Sequence, residues 1–232
     1  MKLQREAVIS VLSKNHLFKS AGPAEIEMLA DLCIQRTYKR DQYLFFQGDT
    51  ADYFAVIAEG MVKVVLTSEQ GNEIVLTTVE APEMLGEVAA VDEGTRGASA
   101  IAVRPTTVLI IKYAAFFELI QSSPEILQIL LRTMASLVRR LTEQVSDLVF
   151  LDLGGRIAKL LLSLAERQGS EDNQTVTLDL GLTQTELANM VGGSRPAVNR
   201  VLQNFAARNL ITVDGLLIVI HDFAGLRRRA GL

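Results

Sequence analysis

Apolar positions along the chain follow three successive periods. After a short helical start, residues 23–33 carry them at helical spacing. From Gln35 to about Lys112 they gather into short runs at residues 53–57, 62–66, 74–77 and 108–111. Gly48, Gly60, Gly71, Gly86 and Gly94 punctuate these runs, a pattern that predicts a compact antiparallel barrel or sandwich. Residues 124–150 then read as one helix roughly 40 Å long. Its apolar seam is Leu127, Leu130, Met134, Leu137, Leu141, Val145 and Leu148. A seam so long and narrow predicts an identical helix packed against it; the other reading lays it on its own barrel. Residues 151–155 break the helix, with Gly154-Gly155 as the expected hinge.

The last segment is the most informative. A helix over residues 156–168 and an exposed turn at 169–173 lead into a pair of short helices. Thr183 caps the first, with Glu186 completing a capping box, and Leu187, Met190 and Val191 form its apolar face. Gly192-Gly193 allows a sharp turn. Ser194 caps the second helix, and Pro196 sits where helical N–H groups have no partner to lose. Val198, Val201, Leu202 and Phe205 face inward, and Arg195, Asn199, Arg200 and Gln203 face outward. Strands at 210–213 and 216–220, around Asp214-Gly215, complete a winged helix. A helix-turn-helix of this kind places its second helix in the major groove of double-stranded DNA. Asn199 and Arg200 suit adenine and guanine edges, while Thr183, Gln184 and Ser194 lie on the first helix or at the caps, with Thr183 and Ser194 suited to phosphates. The plain alternative is a helical hairpin with a solvated face; three arginines with no acid between Ser194 and Arg208 argue against it.

The net charge of −4 changes meaning once it is divided. Residues 1–151 hold 14 basic and 19 acidic side chains, whereas residues 152–232 hold 9 and 8. Positive charge is thus local, on the second helix and in Arg227-Arg228-Arg229. The lone cysteine, Cys33, excludes an internal disulfide, fits a cytoplasmic protein and reads as a buried structural thiol. No apolar run approaches the roughly 18 residues that cross a bilayer, no signal-peptide pattern opens the chain, and no membrane association is expected.

A barrel, a long helix and a winged helix in this order resemble the cyclic AMP receptor protein/FNR (Crp/Fnr) family of bacterial transcription regulators. The resemblance rests on Phe46-Gln47-Gly48-Asp49, residues 57–64, Met84-Leu85-Gly86-Glu87-Val88 followed by Arg96, Phe150-Leu151-Asp152 with Gly155-Arg156-Ile157-Ala158, and the helix-turn-helix. It implies an α+β chain: an effector-sensing, jelly-roll-type β-roll over residues 1–120, a dimerisation helix over 121–151, and a winged-helix DNA-binding domain over 152–232. It implies a homodimer on a palindromic site, acting with RNA polymerase, with cyclic AMP as effector. The ligand set it implies is Gly86, Glu87, Val88, Arg96, Gly97, Leu141 and Thr142, held between β-roll and dimer helix. Gly86 lets backbone approach the ligand, Glu87 can accept from a ribose hydroxyl, and Arg96 offers a charged donor fork to a phosphate. Alternatively, Glu87 and Arg96 form a structural ion pair.

Three positions depart from the family pattern. Gly97 stands where cyclic AMP binders usually carry Ser or Thr after the arginine, and Leu141 replaces one hydroxyl of the pair on the dimer helix, leaving Thr142. A hydrogen bond to a charged phosphate is worth roughly 1.5–3 kcal/mol, so weak binding, another nucleotide, or a constitutive regulator remain open. Pro196 takes the place of a glutamate that reads cytosine, so a different base is expected there. One cysteine cannot hold an iron–sulfur cluster. His16, beside Asn15, reads as a solvated loop residue rather than a haem ligand, and His221 as a residue at the wing's end. No zinc spacing appears, and Asp92-Glu93 reads as a solvated turn. No catalytic constellation points to an enzyme. A cyclic-nucleotide module acting on a protein partner would leave residues 194–208 without a use.

Overall fold

The computed structural model describes residues 3–15, 18, 21–71, 73–91, 94–122, 124–167, 175–215 and 217–232. His16, Asp92, Glu93 and the turn expected at 169–173 lie outside the described residues. The chain divides into two compact units, Met1–Arg139 and Arg140–Leu232, and the division falls within one helix.

In the first unit, helices α1 (Arg5–Lys14) and α2 (Pro23–Leu32) precede strands β1 (Ile34–Tyr38), β2 (Tyr43–Phe45), β3 (Tyr53–Glu59), β4 (Met61–Thr67), β5 (Glu73–Glu80) and β6 (Met84–Leu85). A single turn, α3 (Val88–Val91), leads to β7 (Ser99–Ala102), β8 (Thr106–Lys112) and α4 (Tyr113–Ser122). The strands form two four-stranded sheets, ordered β1-β8-β3-β6 and β2-β7-β4-β5, with every pairing antiparallel. This is the expected antiparallel roll. Ala55, Ile57, Val62, Ala100, Ala102, Val108 and Ile110 form one core cluster. Phe54, Val56, Leu109 and Ile111, on the opposite face of the first sheet, join Leu12, Leu29 and Phe116 in another. Because β3 and β8 are buried on both faces, their sequences run apolar without alternation. Cys33 donates from Sγ to the Leu29 carbonyl at 3.3 Å, and burial pushes its thiol up to about 12, so it is an unreactive structural group.

Helix α5 (Pro124–Phe150) has the expected bounds, but its faces differ from the seam read in the sequence. Leu130 is 6% exposed and, with Met134, packs into the cluster of Leu12 and Phe116. Leu137 is half-buried, whereas Leu131 and Val138 are exposed, at 59% and 62%. The exposed stripe therefore runs through Leu127, Leu131, Val138, Leu141, Val145 and Leu148. One end of the helix serves its own unit's core, because Leu130 sits one residue from the stripe and turns about 100° away from it.

The second unit continues with α6 (Leu153–Arg167), β9 (Val176–Asp179), α7 (Gln184–Met190), α8 (Arg195–Ala207), β10 (Ile211–Asp214), β11 (Leu217–Ile220) and α9 (Phe223–Ala230). The hairpin β10–β11 is antiparallel with Ile211 opposite Ile220. It gains a third strand, β9, giving the order β10-β11-β9. Gly154 and Gly155 form no hinge. They lie in the first turn of α6, which begins three residues earlier than the apolar pattern suggested. The break between helices is Leu151-Asp152, and the Asp152 carboxylate caps α6 by accepting from Gly155 N–H at 2.8 Å. Ile157, Leu161, Leu178, Val198, Leu202, Ile220 and Leu226 are buried in this unit. Among the described residues no helix is long and apolar enough to cross a membrane.

Candidate functional sites: a buried arginine and a recognition helix

In the first unit the chain places Arg96 by its backbone before its side chain is used. Asp49 Oδ2 accepts from Phe46 N–H at 2.9 Å, closing a turn through Gly48, whose φ of +86° suits glycine. From that turn Gly48 N–H donates to the Arg96 carbonyl, and Arg96 N–H donates to the Asp49 carbonyl, both at 2.8 Å. Phe46-Gln47-Gly48-Asp49 is thus a clip on Arg96. Gln47 in turn bridges to Thr67, accepting from its N–H at 2.8 Å.

The Arg96 side chain is 3% exposed. Its Nη1 donates to the Gly86 carbonyl (3.3 Å) and to Tyr113 Oη (3.1 Å), and its Nη2 donates to the Tyr53 carbonyl (2.6 Å). The guanidinium carbon lies 4.1 Å from the ring centre of Phe45, 4.6 Å from Tyr53 and 5.9 Å from Tyr113. Among the described residues no carboxylate pairs with it, so the ion pair with Glu87 read as an alternative is not what holds Arg96. Carbonyls and π faces hold it instead. Of the guanidinium's five donors, Nε–H and one on Nη2 have no partner among these. Burial pushes the phenols of Tyr53 and Tyr113 upward, so both are neutral at ordinary pH.

Gly86 lies against this group at φ +86°, and a Cβ there would fall 2.5 Å from Arg96 Nη1. Close approach requires glycine. Glu87 is half-buried and Val88 exposed at the start of α3. Gly97 is exposed, and a Cβ on it would meet nothing within 4 Å. Gly86, Glu87, Val88, Arg96 and Gly97 therefore gather in the first unit. Leu141 and Thr142 stand in the second unit, exposed on α5. Sequence reading missed Phe45, Tyr53 and Tyr113, which no local pattern marks.

In the second unit the helix-turn-helix forms as its caps dictate. Thr183 Oγ1 accepts from Glu186 N–H at 3.2 Å, and Glu186 Oε2 accepts from Thr183 N–H at 2.8 Å. Gly192 takes φ +64° at the turn. A Cβ on Gly193 would fall 2.7 Å from Leu153 Cδ1, so this second glycine serves close packing. Ser194 caps α8, with Pro196 in its first turn. Val198, Leu202 and Phe205 are buried, and Val201 is half-buried.

Thr183, Ser194, Arg195, Arg200 and Gln203 are exposed, and Gln184 is half-buried. Asn199 departs from the outward face: it is half-buried, and its Oδ1 is enclosed without a hydrogen-bond partner. Arg195, Arg200 and Arg208 have no carboxylate partner among the described residues. The triplet in α9 is different. Arg229 pairs with Asp152 at 2.5 Å and Arg228 with Asp222 at 3.9 Å, so part of the positive charge concentrated in this triplet is balanced by acids. Wing residue His221 shares a 2.7 Å hydrogen bond with Thr212 Oγ1.

Residues 35–123 match the cyclic nucleotide-binding domain, and residues 155–229 match the Crp-like helix-turn-helix domain. The chain is 33% identical over 220 residues to the CRP-like cAMP-activated global transcriptional regulator of Mycobacterium tuberculosis H37Rv, covering 95% of this chain and 98% of that one. The chain belongs to the Crp/Fnr family. It is 32% identical over 197 residues to the cAMP-activated global transcriptional regulator CRP of Escherichia coli O157:H7, covering 84% of this chain and 93% of the other. Among solved structures it resembles the c-di-GMP responsive global regulator CLP of Xanthomonas campestris, with a TM-score of 0.72 at 25% identity, over 87% of this chain and 100% of that one. As a Crp/Fnr protein the chain is a DNA-binding transcription regulator with a cyclic nucleotide-binding domain, and not an enzyme.

Proposed function

We propose that the chain acts as a cytoplasmic homodimer that binds a palindromic double-stranded DNA site under control of a cyclic nucleotide, cyclic AMP first, and works through RNA polymerase. The observation that carries the effector half is Arg96. It is a buried guanidinium with no carboxylate partner among the described residues and two donors to spare, which suits an anion. Arg96 would hold the phosphate, with the Gly86 backbone close by and Gly97 at the rim. Glu87 would accept from the ribose, and Thr142 would meet the base. The relatives named above as cAMP-activated support cyclic AMP.

The stripe on α5 supports the dimer. Read as heptads, Leu131, Val138 and Val145 fall at a, and Leu127, Leu141 and Leu148 at d, while Met134, the intervening d position, packs into the core of its own unit. β-branched residues at a with leucine at d favour two parallel strands. Two recognition helices related by that symmetry read half-sites about 34 Å apart. On α8, Arg195, Arg200 and Gln203 would reach base edges, Asn199 through its amide, and Thr183, Gln184 and Ser194 would meet phosphates. Leu141, at d, would bear on the dimer seam next to Thr142, so ligand and dimer packing would share neighbouring residues.

A second reading, the same regulator answering another small ligand or none, is favoured by Gly97 and Leu141, which offer no hydroxyl where cyclic AMP binders usually do. Calorimetric titration of the nucleotide-free protein with cyclic AMP, cyclic GMP as control, separates the two. Micromolar cyclic AMP binding that Arg96→Ala abolishes, with basal DNA binding retained, supports the first reading. No heat from either nucleotide, in a protein that still shifts palindromic DNA, supports the second.

A further inference from the structure

Two tyrosines adjoin Arg96, and their hydroxyls do different things. Tyr53 Oη turns away and donates to the Leu44 carbonyl at 2.8 Å. Tyr113 Oη donates to the Gly86 carbonyl at 2.5 Å and accepts from Arg96 Nη1 at 3.1 Å. Its one proton and one of its lone pairs are thereby committed, in a fixed direction, between the glycine turn and the guanidinium. The Tyr113 ring is itself held, 6.3 Å from Phe54 and 25° from its plane, in the core cluster that contains Phe116. Arg96 Nη1 thus has an acceptor whose position the core sets, 17 residues away in sequence.

We propose that Tyr113 is a positioning residue of the effector site, its hydroxyl fixing Arg96 relative to Gly86 so that the remaining Nε and Nη2 donors face an anionic ligand. This rests on the effector reading above. Phe45 and the Tyr53 ring hold the guanidinium plane, but a π face does not fix rotation within that plane. Directional hydrogen bonds do. The Gly86 and Tyr53 carbonyls hold Nη1 and Nη2 from the backbone. The Tyr113 hydroxyl, the side-chain partner among the described residues, ties Nη1 to the Gly86 carbonyl that it also meets.

The test uses full-length Tyr113→Phe, which keeps the ring and removes only the hydroxyl. In nucleotide-free protein labelled with 15N-arginine, the Arg96 Nη protons are expected to resolve separately in wild type and to exchange measurably faster in Tyr113→Phe, where one of the three hydrogen bonds on the guanidinium is gone. Cyclic AMP affinity by calorimetry is expected to fall about 3- to 10-fold. That loss should vanish in an Arg96→Lys background, where no Nη1–H faces the phenol. Unchanged Arg96 signals in Tyr113→Phe overturn the proposal. An equal loss of affinity in the Arg96→Lys background overturns it too, since it assigns Tyr113 to packing alone. Wild type that takes no cyclic nucleotide, while Tyr113→Phe still frees Arg96, removes the effector reading and supports the hold of Tyr113 on Arg96.

Discussion

Arg229, in the last turn of α9, donates to Asp152 Oδ2 at 2.5 Å, although 77 residues separate them. The same carboxylate caps α6 through Gly155 N–H. Beneath the pair lies Gly154, where a Cβ would collide with the Arg229 guanidinium. Helix cap, ion pair and glycine form one assembly that pins the first turn of α6 to α9.

Gly154→Ala should separate these parts. Alanine in place of glycine favours a helix by about 0.5–1 kcal/mol, while the exposed ion pair it displaces is worth roughly as much. Stability at neutral pH should therefore change by less than about 1 kcal/mol. The Asp152 carboxyl pKa, followed by 13C NMR, should rise toward the ordinary carboxylate range. A carboxyl that titrates as in wild type would show that Arg229 accommodates the methyl group without leaving Asp152.

The pH dependence follows from the same carboxylate. The hydrogen bond from Arg229, then that from Gly155 N–H, holds Asp152 below its ordinary value. A depressed folded value means that the native state binds this proton less readily than the unfolded chain. The stabilisation is complete above the usual pKa of about 3.9 and is lost as pH falls through the folded value. The gap in melting temperature between wild type and Asp152→Asn should accordingly be constant above about pH 5 and narrow progressively as the pH falls below about 3.9. A gap that does not narrow would remove Asp152 from the acid response.

Gly97 offers a gain of function. A Cβ there has open space, so Gly97→Ser should fold as wild type and add a hydroxyl beside Arg96. Cyclic AMP affinity should tighten about tenfold by calorimetry. No change would place the ligand's phosphate away from residue 97.

On the recognition helix, Arg200→Ala should relax preference at one base pair while the salt dependence of binding changes by about one ion or less, measured by competition binding over a set of site variants. A uniform loss across sequences would make Arg200 a phosphate contact. Pro196→Glu should restore an acceptor for cytosine and shift the preferred base at its position.

The α5 stripe predicts a dimer that one charge disrupts. Val138→Asp introduces a carboxylate at an a position that is 62% exposed in the single chain, so folding should persist. Analytical ultracentrifugation should show a dimer in wild type and a monomer in the variant. A variant that remains dimeric would move the interface off α5.

Much of the fold was legible because its signals are local. Thr183 with Glu186 and Ser194 with Pro196 announce helix starts within four residues, and the structure forms both caps. The runs in β3, β4, β5 and β8 announced strands. Strands β7 and β9 went unseen because Ser99–Ala102 and Val176–Asp179 are four residues each and gain their identity from neighbours across the sheet. Of the residues proposed for the effector, Gly86 and Arg96 were legible in the sequence as the spaced pair that the family resemblance marks. The group around Arg96 was not, since Tyr53 and Tyr113 lie 43 and 17 residues from it and only sheet pairing brings them together. Gly154-Gly155 misled for the same reason: a glycine pair reads alike whether the backbone must bend or a distant arginine must pass close by.

Arg156 joins three chain segments through backbone carbonyls. Its Nε donates to Val191 O at 2.7 Å, Nη1 to Leu151 O at 2.8 Å and Nη2 to Gly192 O at 3.3 Å. Helix ends leave carbonyls without partners, and here one guanidinium serves both the chain leaving α5 and the turn ahead of α8. Neither end can fray without releasing the side chain that stabilises the other. In native-state hydrogen exchange, amides at the close of α5 and in the 191–193 turn should therefore open with a single free energy, as one cooperative unit. Loosening the turn that carries the recognition helix then means loosening the end of the long helix with it.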